Sequence, residues 1–307
     1  MSVTLSPLTS FSCLRFSGKD VAQFLQGQLS CDIHSVTEQQ LSLTAYCNDK
    51  GRISASGYLV YFDQTYYLIT PKNLVAHTIQ KFKQYGIFSN IQIHLCNDTH
   101  ILACIGKPAG VTPPESNNMV SSPEAGVYIS CLSAEHQLFL CFGQQTPMIA
   151  FQEKLSAQKG HQLVLDMHIW EAANIQSGMV HIYPETLEKL TPHMVNYHNS
   201  NAVSFTKGCF LGQEVVARTQ HRGRSKRKLY RCTIQNSTPI RLGMEIITKK
   251  EEPAGIVVAI SEVQANTTQA LVVLADHTIK TALYIQQTVL ENITLAQEAA
   301  PQLALAD

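Results

Sequence analysis

The sequence predicts an α+β fold that ends in a small all-β unit, and three observations carry that prediction. Antiparallel hairpin signals alternate with helical periodicities through the first hundred or so residues. The same order returns after a stretch rich in Pro, Gly, Ser and Asn at 107–126. After Lys228 the chain turns to short strands at regular spacing, the signature of a barrel or a sandwich.

Ser17-Gly18-Lys19-Asp20 reads as a capping box, and Val21, Phe24, Leu25 and Leu29 follow at helical spacing, so a helix is expected over 19–28. Leu41–Tyr46, Arg52–Phe62 and Thr65–Thr70 are rich in aromatic and β-branched residues and are broken by Asp49-Lys50-Gly51 and Asp63-Gln64, a strand meander. Thr70-Pro71 reads as the cap and first residue of a second helix, with Leu74, Val75, Thr78, Ile79 and Phe82 on one face and Gly86 as its stop. Ile91–Leu95 alternates as another strand. In the second block, Val127–Leu132 and His136–Phe142 form a hairpin, Thr146-Pro147 opens a helix ending near Gly160, and Asp166 caps one running through Trp170 to Gly178. Strands then follow at Lys228–Ile234, Met244–Thr248, Gly255–Val263, Gln269–Ala275 and Ala282–Leu290. The organisation expected is 1–107, a joint at 108–126, 127–227, 228–295 and a tail from 296 to 307.

Formal charge balances at zero and the apolar fraction is ordinary, so nothing global advertises nucleic acid, membrane or disorder. The start lacks a basic stretch followed by an apolar run, and no apolar run is long enough to span a bilayer, which predicts a soluble, unexported protein. Nine cysteines, scattered from Cys13 to Cys232 without a Cys-x-x-Cys pair, read as reduced thiols in a cytosol. The histidines show no ligand spacing with them, and no metal site is expected.

The densest window is 204–231, SFTKGCFLGQEVVARTQHRGRSKRKLYR. Gly208 and Gly212 permit backbone geometries and ligand approach that a side chain would obstruct, and Gln213–His221 can be helical before Gly223 ends it. The helix N-terminus so formed suits an anionic ligand group, although an ordinary strand-to-helix turn has the same spacing. Cys209 is either core or nucleophile; Lys207 and the helix N-terminus favour its thiolate. Arg218, Arg222, Arg224, Lys226, Arg227, Lys228 and Arg231 fall within fourteen residues, with no acidic residue between Glu214 and Glu245. Such a patch permits RNA contact, or is a solvated face paired with acids elsewhere. Trp170, the sole tryptophan, is by default core and alternatively a stacking surface for a flat heterocycle.

On these residues the chain resembles the YgfZ-like folate-binding proteins, relatives of the aminomethyltransferase T-protein of glycine cleavage. The hallmark of that family matches Lys207 through Glu214, with its variable position at Leu211, and continues in Ala217-Arg218 and Arg222-Gly223. Phe24-Leu25-Gln26-Gly27-Gln28, Lys50-Gly51-Arg52 and Pro192-His193-Met194-Val195-Asn196 are also similar. The resemblance implies a T-protein-like α+β fold, two antiparallel-sheet subdomains plus a C-terminal β-barrel around a central channel. It also implies a tetrahydrofolate or derivative held near Phe11, Trp170, Lys207, Gly208, Gln213, Glu214 and Arg218, with Cys209 as the reactive group. Aminomethyl transfer in the T-protein relies on an aspartate after the glycine turn, and Gly51-Arg52-Ile53-Ser54-Ala55-Ser56-Gly57 carries no carboxylate there. Gln176 stands where the family has glutamate. The resemblance therefore implies an accessory role supporting iron–sulfur enzymes, including one that thiomethylates tRNA. The alternatives are a folate-dependent one-carbon transferase and an RNA-binding module using Arg222, Arg224, Lys226, Arg227 and Lys228.

Overall fold

A computed structural model of the 307-residue chain describes residues 2–222, 225–235, 239–264 and 266–296. In chain order its elements are β1 (Val3–Pro7), β2 (Phe11–Ser17), α1 (Val21–Gln28), β3 (Ser42–Cys47), β4 (Ile53–Phe62), β5 (Thr65–Pro71), α2 (Val75–Tyr85), β6 (Gln92–Cys96), β7 (Thr99–Ile105), β8 (Val120–Glu124), β9 (Val127–Ser133), β10 (Leu138–Gln144), α3 (Gln145–Ser156), β11 (His161–Leu163), α4 (Met167–Ser177) and α5 (Gln213–Arg222). The remaining strands are β12 (Arg227–Gln235), β13 (Glu245–Thr248), β14 (Pro253–Gln264), β15 (Thr267–Ala275), β16 (Leu283–Ile285) and β17 (Thr288–Leu295). The chain clusters into two compact units, one of Met1–Leu25, Asp32–Ser42 and Gly57–Ala173, the other of Gln26–Cys31, Leu43–Ser56 and Asn174–Asp307.

The first unit contains a six-stranded sheet in the order β11-β1-β7-β10-β9-β8, antiparallel except where Val3 of β1 pairs parallel with His161 of β11. Alternate residues of β9, Val127, Ile129 and Cys131, point to one face. There they join Leu102, Cys104, Phe139 and Cys141 beneath Met148, Phe151 and Leu155 of α3. A five-stranded sheet runs β3-β4-β5-β2-β6, and β4 passes from the second unit into the first. Under its part in the first unit, Phe82 of α2 meets Phe16 of β2 edge-on at 5.5 Å and Phe24 of α1 at 6.0 Å. Phe62 stacks on Tyr67 at 4.0 Å and meets Tyr128 and Phe142 of the six-stranded sheet, so aromatic rings fill the junction between the two sheets.

The second unit ends in a closed barrel in the order β12-β15-β14-β13-β16-β17. Tyr230, Cys232 and Ile234 of β12 and Ala270, Val272 and Leu274 of β15 alternate inward around its core. Register shifts at Val257/Ala259 and Glu262/Gln264 bend the long strand β14 enough to serve the closure.

The elements depart from expectation at several places. Helix α1 begins at Val21, because the Asp20 carboxylate accepts a hydrogen bond from the Asn90 backbone N–H at 2.7 Å. Pro71 ends β5, and a 3-10 turn over Lys72–Leu74 precedes α2. Strands β1, β2 and β7 were not anticipated; they are central strands with short apolar runs, which periodicity distinguishes poorly. The joint at 108–126 contains β8, which tolerates Pro123 because it lies at a sheet edge, where an N–H is not needed. The last expected strand is a hairpin, β16 and β17, turned by Gln286 at φ 55°. The expected stop at Gly223 and the tail from 297 lie outside the described residues.

Phe82 is fully buried between two other rings. Phe82→Ala is predicted to lower unfolding free energy by about 3–5 kcal/mol, read from urea denaturation. A loss below about 1 kcal/mol would show that this aromatic cluster is not a core of the first unit.

Candidate functional site

The loop before α5 is fastened by its own residues to the segment that follows α1. The Lys207 ammonium donates to the carbonyl oxygens of Leu29 at 2.8 Å and Cys31 at 2.7 Å and lies 5.4 Å from the Phe210 ring centroid. Leu211 N–H donates to the Gly27 carbonyl at 3.1 Å, and Ser204 N–H to that of Ser30 at 2.9 Å. Phe210 is buried, whereas Gly208 and Cys209 between these anchors are exposed. Of the nine cysteines Cys209 alone is classed as exposed. The segment thus holds its backbone rigidly while presenting one thiol to solvent.

The two hallmark glycines differ in what they do. Gly212 sits at φ 80°, and a Cβ there would meet the Asn48 carbonyl oxygen at 2.3 Å and the Gly51 Cα at 3.2 Å. Gly51, at φ 66°, would carry a Cβ 3.0 Å from that of Val215. The 48–51 turn, shaped by Asn48 Oδ1 accepting from the Lys50 and Arg52 N–H groups, is therefore packed against the first turn of α5 with room for glycine only. A Cβ on Gly208 would meet nothing within 4 Å. Its place in the loop leaves open space beside the Cys209 thiol rather than relieving a clash.

Gln213 begins α5 half-buried, its N–H donating to the Phe210 carbonyl. Glu214 accepts a 2.5 Å hydrogen bond from Arg218 one turn on, an exposed i,i+4 ion pair. The basic cluster is partly committed elsewhere: Lys228 lies 3.8 Å from Asp276, and Arg231 donates to the Ile175 and Gln176 carbonyls at 3.0 and 2.5 Å, capping the end of α4. Lys226 is exposed and Arg227 half-buried, while Arg224 and the Arg222 side chain lie outside the described residues.

Trp170 and Phe11 come together, ring centroids 6.1 Å apart and edge to face. Trp170 is fully buried and Phe11 5% exposed, so a ligand stacking on the indole face must displace protein atoms. One turn further along α4 is a residue that the sequence reading missed. Asn174 is 1% exposed, and among the described residues neither its amide oxygen nor its nitrogen has a hydrogen-bond partner. A buried amide left so is destabilising by about 1–3 kcal/mol. The available signal was an amide one helical turn from the lone tryptophan. Gln176 donates to Gln269 of the barrel. In the stretch after the Gly51 turn, the Ser54 hydroxyl donates to Glu188 Oε1 at 2.5 Å, and the Ser56 hydroxyl accepts from Ile182 N–H at 2.9 Å.

Histidines line the approach to α5. His193 Nε2 lies 3.2 Å from Gln220 Oε1, and its ring is 4.7 Å from that of His198. Burial pushes His198 down to about 4, with a further push from His193, and burial alone pushes the fully enclosed His181 down to about 3. Both imidazoles are neutral in the folded chain at neutral pH.

No family model matches the chain. Its fold is that of the glycine-cleavage aminomethyltransferases. The solved aminomethyltransferase T from Bartonella henselae matches with a TM-score of 0.71 over 96% of this chain and 85% of its own, at 12% identity, a likeness of fold. A protein of Colwellia psychrerythraea described as tRNA-modifying protein YgfZ is 30% identical over 243 residues, spanning 77% of this chain and 74% of that protein. A protein of Buchnera aphidicola with the same description is 28% identical over 286 residues, 89% of this chain and 88% of its own. The chain belongs to the YgfZ family.

Because Gly212 has no room for a side chain and Gly208 has ample room, Gly212→Ala is predicted to destabilise by about 2 kcal/mol or more and Gly208→Ala by under about 1 kcal/mol. Equal effects in urea denaturation would contradict the packing described. For the histidines, unfolding restores an ordinary value of about 6.5. The unfolded chain then binds protons that the folded chain refuses, so their contribution is complete above about pH 6.5 and declines as pH falls toward 4 and 3. Stability is expected to drop by roughly 1–2.5 kcal/mol per pH unit between pH 6.5 and 5, the partial exposure of His198 reducing its share. His181→Phe should flatten that slope, whatever it does to stability at pH 7; an unchanged slope would remove His181 from the effect.

Proposed function

We propose that this protein binds a tetrahydrofolate or a derivative and acts as an accessory factor for iron–sulfur enzymes, including one that modifies tRNA. The observation that carries the reading is the single exposed thiol, Cys209, held on a loop that Lys207 fastens to backbone carbonyls in a member of a family whose relatives are described as tRNA-modifying. The buried, unpartnered amide of Asn174 fits the cofactor: it offers one donor face and one acceptor, the pair a pterin ring edge is able to satisfy. Asn174 would orient the ring, and in the same unit Gln213, Glu214 and Arg218 lie on the first turns beyond the thiol. A bound tetrahydrofolate carries one-carbon units on its nitrogens. The accessory role is favoured over one-carbon transfer because residues 51–57 contribute no carboxylate to handle the folate amine proton. The partial pairing of the basic cluster favours it over an RNA-binding module, since Arg218, Lys228 and Arg231 already have protein partners.

The test uses calorimetric titration with tetrahydrofolate. Asn174→Leu fills the same volume without the amide; it is predicted to weaken binding about tenfold while leaving the fold as stable or more so. Cys209→Ser should retain affinity yet fail to restore an iron–sulfur-dependent tRNA thiomethylation in a deletion strain. Absence of tetrahydrofolate binding by the wild-type chain would end the folate reading, and full complementation by Cys209→Ser would remove the thiol from it.

A further inference from the structure

The first unit holds a pair of thiols that the proposed function leaves unused. Cys13 of β2 and Cys96 of β6 are direct partners across an antiparallel ladder. Such partners have Cα atoms about 4.5–5.5 Å apart and side chains on one face, inside the roughly 4.4–6.8 Å span of a disulfide. Each thiol is the largest influence on the other, raising Cys13 and lowering Cys96. They are not sealed away. Both line a cleft of about 260 Å³ whose walls include Lys72, Thr99 and His100, and Cys96 is half-exposed while Cys13 is 3% exposed. Cys104 and Cys141, fully buried within the six-stranded sheet, form the contrast: burial raises both.

We propose that Cys13 and Cys96 form a reversible disulfide when a low-molecular-weight disulfide such as glutathione disulfide enters this cleft. The Cys96 thiolate attacks one sulfur of the incoming disulfide, forming a mixed disulfide and expelling one glutathione thiolate. Cys13 gives its proton to that leaving group and attacks the Cys96 sulfur, expelling the second glutathione thiolate, which takes the proton lost by Cys96. The balance is one protein dithiol and one glutathione disulfide converted to one protein disulfide and two glutathione thiols, two electrons passing to the glutathione. Lys72 gives the entrance positive charge suited to the carboxylates of glutathione. The bond would tie the edge strand β6 to β2 near the end of their ladder. This reading does not depend on folate or on Cys209.

The experiment equilibrates the full chain in mixtures of glutathione and glutathione disulfide, traps free thiols with N-ethylmaleimide, and maps tryptic peptides by mass spectrometry. Cleavage after Arg15 leaves Cys13 as the one cysteine of its peptide, whereas the peptide after Lys83 runs to Lys154, since Pro108 blocks cleavage at Lys107, and carries Cys96, Cys104, Cys131 and Cys141, so fragmentation must assign the linked residue. The expected result is a Cys13–Cys96 linked peptide that grows with the proportion of glutathione disulfide and disappears on reduction with dithiothreitol. Cys13→Ser should instead accumulate glutathione on Cys96, and Cys96→Ser should leave Cys13 unmodified until the chain is unfolded. Recovery of Cys13 and Cys96 in wild-type protein as separate maleimide adducts across all mixtures, or linkage of either to Cys209, would overturn the proposal; these wild-type readings decide it even if a variant fails to fold.

Discussion

The ammonium of Lys207, placed between the carbonyl oxygens of Leu29 and Cys31, is the contact on which the rest of the candidate site depends. The segment leaving α1 has carbonyls with no helical partner, and the Lys207 ammonium satisfies two of them at once while lying over the Phe210 ring. That attachment fixes the start of the loop, and the glycine contact between Gly212 and the 48–51 turn fixes its end. Between the two fixed points only Gly208 and Cys209 are presented outward. Rigidity of backbone and exposure of one thiol arise from the same arrangement.

Helix α4 displays a different economy of contacts. Its aromatic residue is enclosed and met by Phe11, its carbonyl end is capped by Arg231, and Asn174 between them is left with an unsatisfied amide. Cores seldom retain such a group without a use, because replacing it by a hydrocarbon of equal volume removes the desolvation penalty. The capping role of Arg231 also explains why a run of seven basic residues in sequence is not a run of seven free charges in space.

Much of the architecture was legible along the chain. The meander from β3 to β5, the helices α2 and α3, and the strands after Lys228 follow from alternation, turn residues and caps that act within a few residues of one another. The capping of α4 by Asp166 is of this kind, its carboxylate accepting from the His168 N–H. Legibility failed where partners are distant. Strands β1, β2 and β7 are central in their sheets through neighbours tens of residues away, and the bend that splits the final strand serves closure of the barrel.

By itself, the sequence determined the α+β class, the all-β end and the dense 207–214 segment, since each rests on local spacing and residue chemistry. Only tertiary structure decided that Lys207 serves backbone carbonyls, that Gly212 rather than Gly208 has no space for a side chain, that Asn174 lacks a partner among the described residues, and that Cys13 faces Cys96. Those four facts depend on which distant atoms surround each side chain. Spacing along a chain carries no record of that, because burial and pairing are set by contacts between residues far apart in order.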